Sequence, residues 1–218
     1  MIWTLLLATG GTNSKITAGI NEPCTVYAKD FDGNGSYDAV LGYYIWGKCY
    51  PMYHRDQLID QMPFMRKKFI RYRNYAGKTL DEIFTDDQKR GMDIFKASFF
   101  ESGVLINEGN NKFRFESLPE QAQFSTINDF VIADFDGDGI KDILAGGNSY
   151  DPDVSTGNYD AAAVVLIKGA GNGKFISVPR TDPAFDINGE VRRIIYLQEK
   201  RQIVLLKNNA PAQLLQQN

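Results

Sequence analysis

Histidine is almost absent from this sequence: His54 stands alone among 218 residues. A Ser/His/Asp or Cys/His constellation has only that imidazole to build on, and in "YPMYHRDQL" it reads as a surface residue at a helix start. Cysteine is nearly as scarce. Cys24 and Cys49 form no CxxC pair, which argues against a zinc site. They read as two free, half-buried thiols, with a disulfide open as the alternative in a secreted protein. No apolar run has the length of a membrane span. The opening "MIWTLLLATGG" has too short an apolar stretch, and no basic flank, for a signal peptide, so it reads as a strand. Basic excess is missing as well. The formal net charge is −3, against the basic face of a nucleic-acid binder. The one basic run, "RKKFIRYR" (66–73), fits the solvent face of an amphipathic helix whose other face is Phe64, Met65, Phe69, Ile70 and Tyr72.

What the chain does have is one acidic arrangement, twice. "AKDFDGNGSYDAVLG" (28–42) and "VIADFDGDGIKDILAGG" (131–147) put side-chain oxygens at every second position of a loop. Asp30, Asp32, Asn34 and Asp38 occupy the places that Asp134, Asp136, Asp138 and Asp142 occupy in the second copy. Between the last two of each set, Ser36 and Ile140 offer a backbone carbonyl. Gly33 and Gly35, like Gly137 and Gly139, permit the positive φ angles that a curled loop needs. Hard oxygen donors without His or Cys select calcium over zinc or copper, and magnesium prefers to keep its waters. An EF-hand is rejected, because its bidentate Glu at position 12 is here Leu41 or Ala145 and the flanks are strand-like. The plainer reading is a pair of tight Asp-Gly and Asn-Gly turns. Against it stand the matching ligand positions and the mutual repulsion of clustered carboxylates, which a cation relieves. Two structural calcium ions are expected.

The loops belong to a longer repeat. "TVYA" leads into the first and "AVLGYY" leaves it; "FVIA" and "ILAGG" do the same for the second. A hairpin completes each unit, "GVLINEGNNKFRFESLP" (103–119) and "AVVLIKGAGNGKFISVP" (163–179), with a Gly/Asn-rich turn between apolar stretches. "GEVRRIIYLQEKRQIVLLKNNAPAQLL" (189–215) keeps the strand–turn–strand pattern without the acidic ladder. The segment 3–9 resembles the strand that leaves an Asp loop. Tandem four-stranded units are the sign of a β-propeller. The expected fold is mainly β, a partial propeller over 1–218, interrupted within one blade by a helical insertion of about fifty residues at 50–102. Pro63 suits a first helical turn, and Thr79 with Glu82 and Thr85 with Gln88 form capping boxes.

At these residues the sequence resembles the FG-GAP/VCBS-type repeat proteins, whose calcium loops also occur in the N-terminal propeller of integrin α-subunits. "YAKDFDGNGSYD", "YPMYHRDQLIDQMPFMRKKF", "YAGKTLDEIF", "LPEQAQFS" and "GNYDA" resemble a subgroup of large secreted Bacteroidetes VCBS repeat proteins. The resemblance implies a β-propeller, calcium in the Asp loops and an extracytoplasmic location (secreted, periplasmic or cell surface). It implies no reaction. The expected function is non-catalytic adhesion or recognition of a protein or glycan, with self-association through open propeller edges. The alternative is a glycan-active hydrolase or lyase, but the sequence offers no carboxylate pair beyond the loops. The polar loop 146–161 supplies Tyr150, Asp151, Asp153, Tyr159 and Asp160 as candidate ligand contacts.

Overall fold

A computed structural model of the chain describes residues 4–7, 9–152, 156–178 and 187–217. In chain order the strands begin β1 (Thr4–Leu7), β2 (Cys24–Lys29), β3 (Asp38–Ile45), β4 (Lys48–Pro51), β5 (Asp93–Ala97), β6 (Gly103–Gly109) and β7 (Lys112–Ser117). They continue as β8 (Ile127–Ala133), β9 (Asp142–Gly147), β10 (Val164–Gly169), β11 (Phe175–Ser177), β12 (Val191–Leu197), β13 (Gln202–Lys207) and β14 (Gln213–Gln216). Between β4 and β5 lie the short helices α1 (Arg55–Gln61), α2 (Met65–Lys68), α3 (Tyr72–Tyr75), α4 (Leu80–Ile83) and α5 (Asp86–Lys89). The protein is mainly β, and its strands form antiparallel sheets ordered β1-β6-β7, β11-β10-β9-β8, β12-β13-β14 and β4-β3-β2-β5. Among the described residues these close neither a barrel nor a propeller.

The chain divides into two compact units, Ile16–Phe99 and Met1–Lys15 with Phe100–Asn218. In the second of these, three sheets stack in sequence. Val104 of β6, with Leu6 and Ile106 beside it, packs on Ile143, Ala145, Val165 and Ile167 of β9 and β10. The opposite face of the same central sheet, through Leu144 and Val164, packs on Val191, Ile194, Ile203 and Leu205 of the last sheet. β9 is therefore buried at every residue, which is why its sequence DILAGG runs apolar after the aspartate instead of alternating. Gly146 is required by that contact: a Cβ there would lie 2.6 Å from Val191 Cγ1. The far face of the last sheet exposes Ile195, Leu206 and Leu214.

In the Ile16–Phe99 unit the sheet packs on helices instead. Val40, Leu58, Ile59, Met62, Met65, Phe69, Leu80, Ile83 and Phe84 form one buried cluster. The helices are short because their caps recur so often. Thr79 N–H donates to Glu82 Oε2 (2.9 Å) and Thr85 N–H to Gln88 Oε1 (2.9 Å), as the two capping boxes predict. His54 is the exposed N-cap residue of α1, and Pro63 stands one residue before the N-cap of α2. Lys68 in the basic run donates its ammonium to the carbonyls of Glu82 (2.9 Å) and Ile83 (2.6 Å), which satisfies the C-terminal end of α4.

Several expectations need correcting. The hairpin β6–β7 does not complete the first loop's sheet. It takes β1 as its third strand, with Leu5 opposite Leu105, so the segment near the start joins that hairpin. The first sheet is completed by β4 and β5, which lie inside or at the rim of the stretch expected to be helical. β5 is almost wholly exposed, so its sequence DIFKA carries no burial period to announce a strand. Ile70 and Tyr72 are exposed rather than core, because Phe69 ends α2 and a new turn begins at Tyr72. Cys24 and Cys49 are free, as expected, but Cys24 is buried rather than half-buried. They sit on β2 and β4 with β3 between, roughly 10 Å apart by strand spacing and beyond the ~7 Å Cα separation a disulfide spans.

Candidate metal centres

Each acidic loop joins two paired strands, β2 to β3 and β8 to β9. The turn between is shaped by its own carboxylates. In the first, Asp30 Oδ1 accepts from the N–H of Gly33 (2.7 Å) and Asn34 (3.0 Å), and Oδ2 accepts from Gly35 (2.9 Å). In the second, Asp134 Oδ1 accepts from Gly137 (2.7 Å) and Oδ2 from Gly139 (2.9 Å). These glycines all have positive φ, between 74° and 87°, so the curl that brings their N–H groups inward favours a residue without Cβ.

The last aspartate closes each loop from the other side. Asp38 Oδ2 accepts from Phe31 N–H (3.0 Å), and Asp142 Oδ2 from Phe135 N–H (2.9 Å). Asp32 Oδ1 accepts from Asn34 N–H and Asp136 Oδ1 from Asp138 N–H. Asn34 Oδ1 accepts from Ser36 N–H (2.7 Å), and Asp138 Oδ1 from Ile140 N–H (2.8 Å). Apart from the Asn34 N–H on Asp30, which the second loop does not match, the two loops repeat one hydrogen-bond pattern.

The pattern gathers oxygen donors. Carboxylate oxygens of Asp30, Asp32 and Asp38 lie within 4.8 Å of one another, as do those of Asp134, Asp136 and Asp138. Either group could hold a metal ion, and donors that are all hard oxygens suit calcium far better than zinc or copper. Asp38 and Asp142 are both buried. Burial, and behind it the neighbouring Asp32 and Asp30 charges, push the Asp38 carboxyl above its usual range. Asp30 is held below its usual range, first by the Gly35 N–H and then by those of Gly33 and Asn34.

The second loop differs in two contacts that sequence reasoning missed. Lys168 pairs its ammonium with Asp136 Oδ2, which lowers the Asp136 pKa and raises that of Lys168. Gly169 N–H donates to Asp142 Oδ1 at 3.0 Å, so both oxygens of Asp142 are engaged by backbone. The available signal was a lysine ending the apolar run AVVLIKG, but its meaning depends on strand register.

The polar loop 146–161 is pinned at its neck. Ser149 and Tyr159 form a bridge (2.8 and 2.9 Å), and the Tyr159 hydroxyl lies 3.2 Å from Ser14 Oγ. Tyr150, Asp151 and Asp160 are exposed, while Asp153 lies outside the described residues. Asn148, unforeseen, braces the loop's base. It is buried, donates to Gly189 O (3.1 Å) and accepts from Ala162 N–H (3.1 Å).

No family model, curated protein or solved structure matches this chain.

Proposed function

We propose that this chain is a calcium-stabilised set of propeller-type blades from a secreted or cell-surface protein, working in adhesion or in recognition of a protein or glycan. The observation that carries the reading is the duplicated loop. Two segments more than 90 residues apart in sequence fold their aspartates onto the same backbone N–H groups and leave a cluster of carboxylate oxygens each time. A tight turn needs no such cluster, and clustered carboxylates repel. A bound calcium ion supplies the compensating charge and ties the two strands of each loop together.

Blade character draws support from the stacking of three antiparallel sheets through two apolar clusters. The resemblance to FG-GAP/VCBS repeats supports the extracytoplasmic location. Exposed Ile195, Leu206 and Leu214 on one face of the last sheet favour association with another copy. A non-catalytic role fits carboxylates that are committed to shaping their own turns.

Calorimetric titration of chelator-treated protein with calcium tests the reading. Two sites are expected, with dissociation constants from roughly micromolar to millimolar. Asp136→Ala should remove one of them, and calcium should raise the melting temperature because it binds the folded state. Absence of binding heat, with a melting temperature indifferent to EDTA, would overturn the proposal. A glycan array and a hydrolase screen on the same preparation separate recognition from catalysis.

A further inference from the structure

Lys168 distinguishes the two loops. Its position follows from register: β10 runs antiparallel to β9 with Ile167 opposite Ile143, so the next residues pass Asp142 and the acidic loop. There the ammonium pairs with Asp136 Oδ2, both side chains being about a third exposed (37% and 34%). In the other sheet the strand in the place of β10 is β4, which ends at Pro51 opposite Gly42 and does not reach Asp38. Among the described residues no lysine or arginine pairs with Asp30, Asp32 or Asp38. Asp38 is buried and its carboxylate lies within 4.8 Å of the Asp30 and Asp32 oxygens, so the first loop concentrates negative charge with no cation of its own.

Resting on the calcium reading above, we infer that the loops are unequal divalent-cation sites, and that Lys168 is a resident competitor which makes the second loop the weaker. A divalent ion that uses Asp136 Oδ2 must displace the ammonium, or bind beside it against like-charge repulsion. Lys168 also compensates the loop when no ion is bound, so the second loop should keep its shape without metal better than the first.

Calcium titration of the chelator-treated chain, followed through the backbone amide resonances of Gly33 and Gly35 and of Gly137 and Gly139, assigns each binding step to its loop. The first loop should fill at a calcium concentration about two- to fivefold lower, the size of one partly screened ion pair. Lys168→Met should tighten the second loop by about two- to fivefold, leave the first unchanged, and lower the melting temperature measured in EDTA. Lys168→Gln should behave the same way, which separates loss of charge from a packing effect of Met. Equal affinities, or a second loop indifferent to both substitutions, would overturn the inequality while the calcium reading stands. Binding at neither loop would overturn the calcium reading and the inequality with it.

Discussion

Val40 and Leu144 stand two residues after the last aspartate of their loops, and each is buried on the same face of its sheet, but Val40 packs under helices and Leu144 under strands. The correspondence runs through the whole face. Tyr27 and Val131 precede the loops, Phe31 and Phe135 lie within them, and Gly42 and Gly146 follow. Phe31 stacks on Phe84 after α4 (4.3 Å between ring centroids), whereas Phe135 meets Tyr196 of β12 (5.3 Å). A Cβ on Gly42 would meet Leu80 of α4, and one on Gly146 would meet Val191 and Ile194 of β12. The stretch between β4 and β5 thus supplies, for its sheet, the apolar layer that the next sheet supplies elsewhere. A sheet face specifies that it must be covered, not what covers it.

If the two covers are equivalent, removing a central side chain from either should cost the same. Leu58→Ala in the helical layer and Leu205→Ala in the strand layer, both fully buried, should each destabilise by about 2–5 kcal/mol in urea unfolding. A loss under about 1 kcal/mol at Leu58 would mean the helices only rest on the sheet.

The glycines sharpen the contrast. Gly146→Val must push against β-branched Val191 and Ile194, whereas Gly42→Val meets the end of a flexible leucine and the Cys49 sulfur. Both should cost about 1–3 kcal/mol, with Gly146 the more expensive. The reverse order would show that the helical layer is the tighter fit.

The smallest effect concerns a turn. Trp46 and Gly47 join β3 to β4 with φ of 49° and 75°, and Trp46 is 95% exposed. Both residues have φ in the left-handed region, as a type I′ turn requires, where Asn is preferred over Trp, so Trp46→Asn should stabilise by about 0.5–1 kcal/mol. The β6–β7 turn already has Asn110 and Asn111 at φ 51° and 60°, and serves as the unstrained reference. Thermal melts compare them.

Local pattern made the loops, the hairpins and the capping boxes legible, because each is set by residues a few positions apart. The sheet β8–β11 was readable as one unit since its strands follow one another in sequence. What could not be read was partner choice across a long interval. The apolar alternation of β6 suits any edge, and nothing within GVLINEG says that Val104 lies opposite Leu6. Exposed β5 lacked a burial period, and Lys168 looked like an ordinary strand lysine until register carried it to Asp136. The helical stretch was recognisable by its period, but its division into single turns came from competing caps such as Arg71 N–H on Asn74 Oδ1.

The pairing of β1 with β6 sets an order of events during synthesis. At roughly 5–20 residues per second, β1 waits several seconds for β6 to be made. The Ile16–Phe99 stretch, which contains its own sheet and core, is made in that interval, and its last residue precedes β6 by only four positions, so it can fold without either strand. The residues bordering it are then fastened to each other: Thr9 N–H donates to Ser102 Oγ (3.2 Å) and the Thr9 hydroxyl to the Phe100 carbonyl. Folding of the intervening segment would shorten the effective loop that β1 and β6 must close, turning a slow long-range search into a nearly local one.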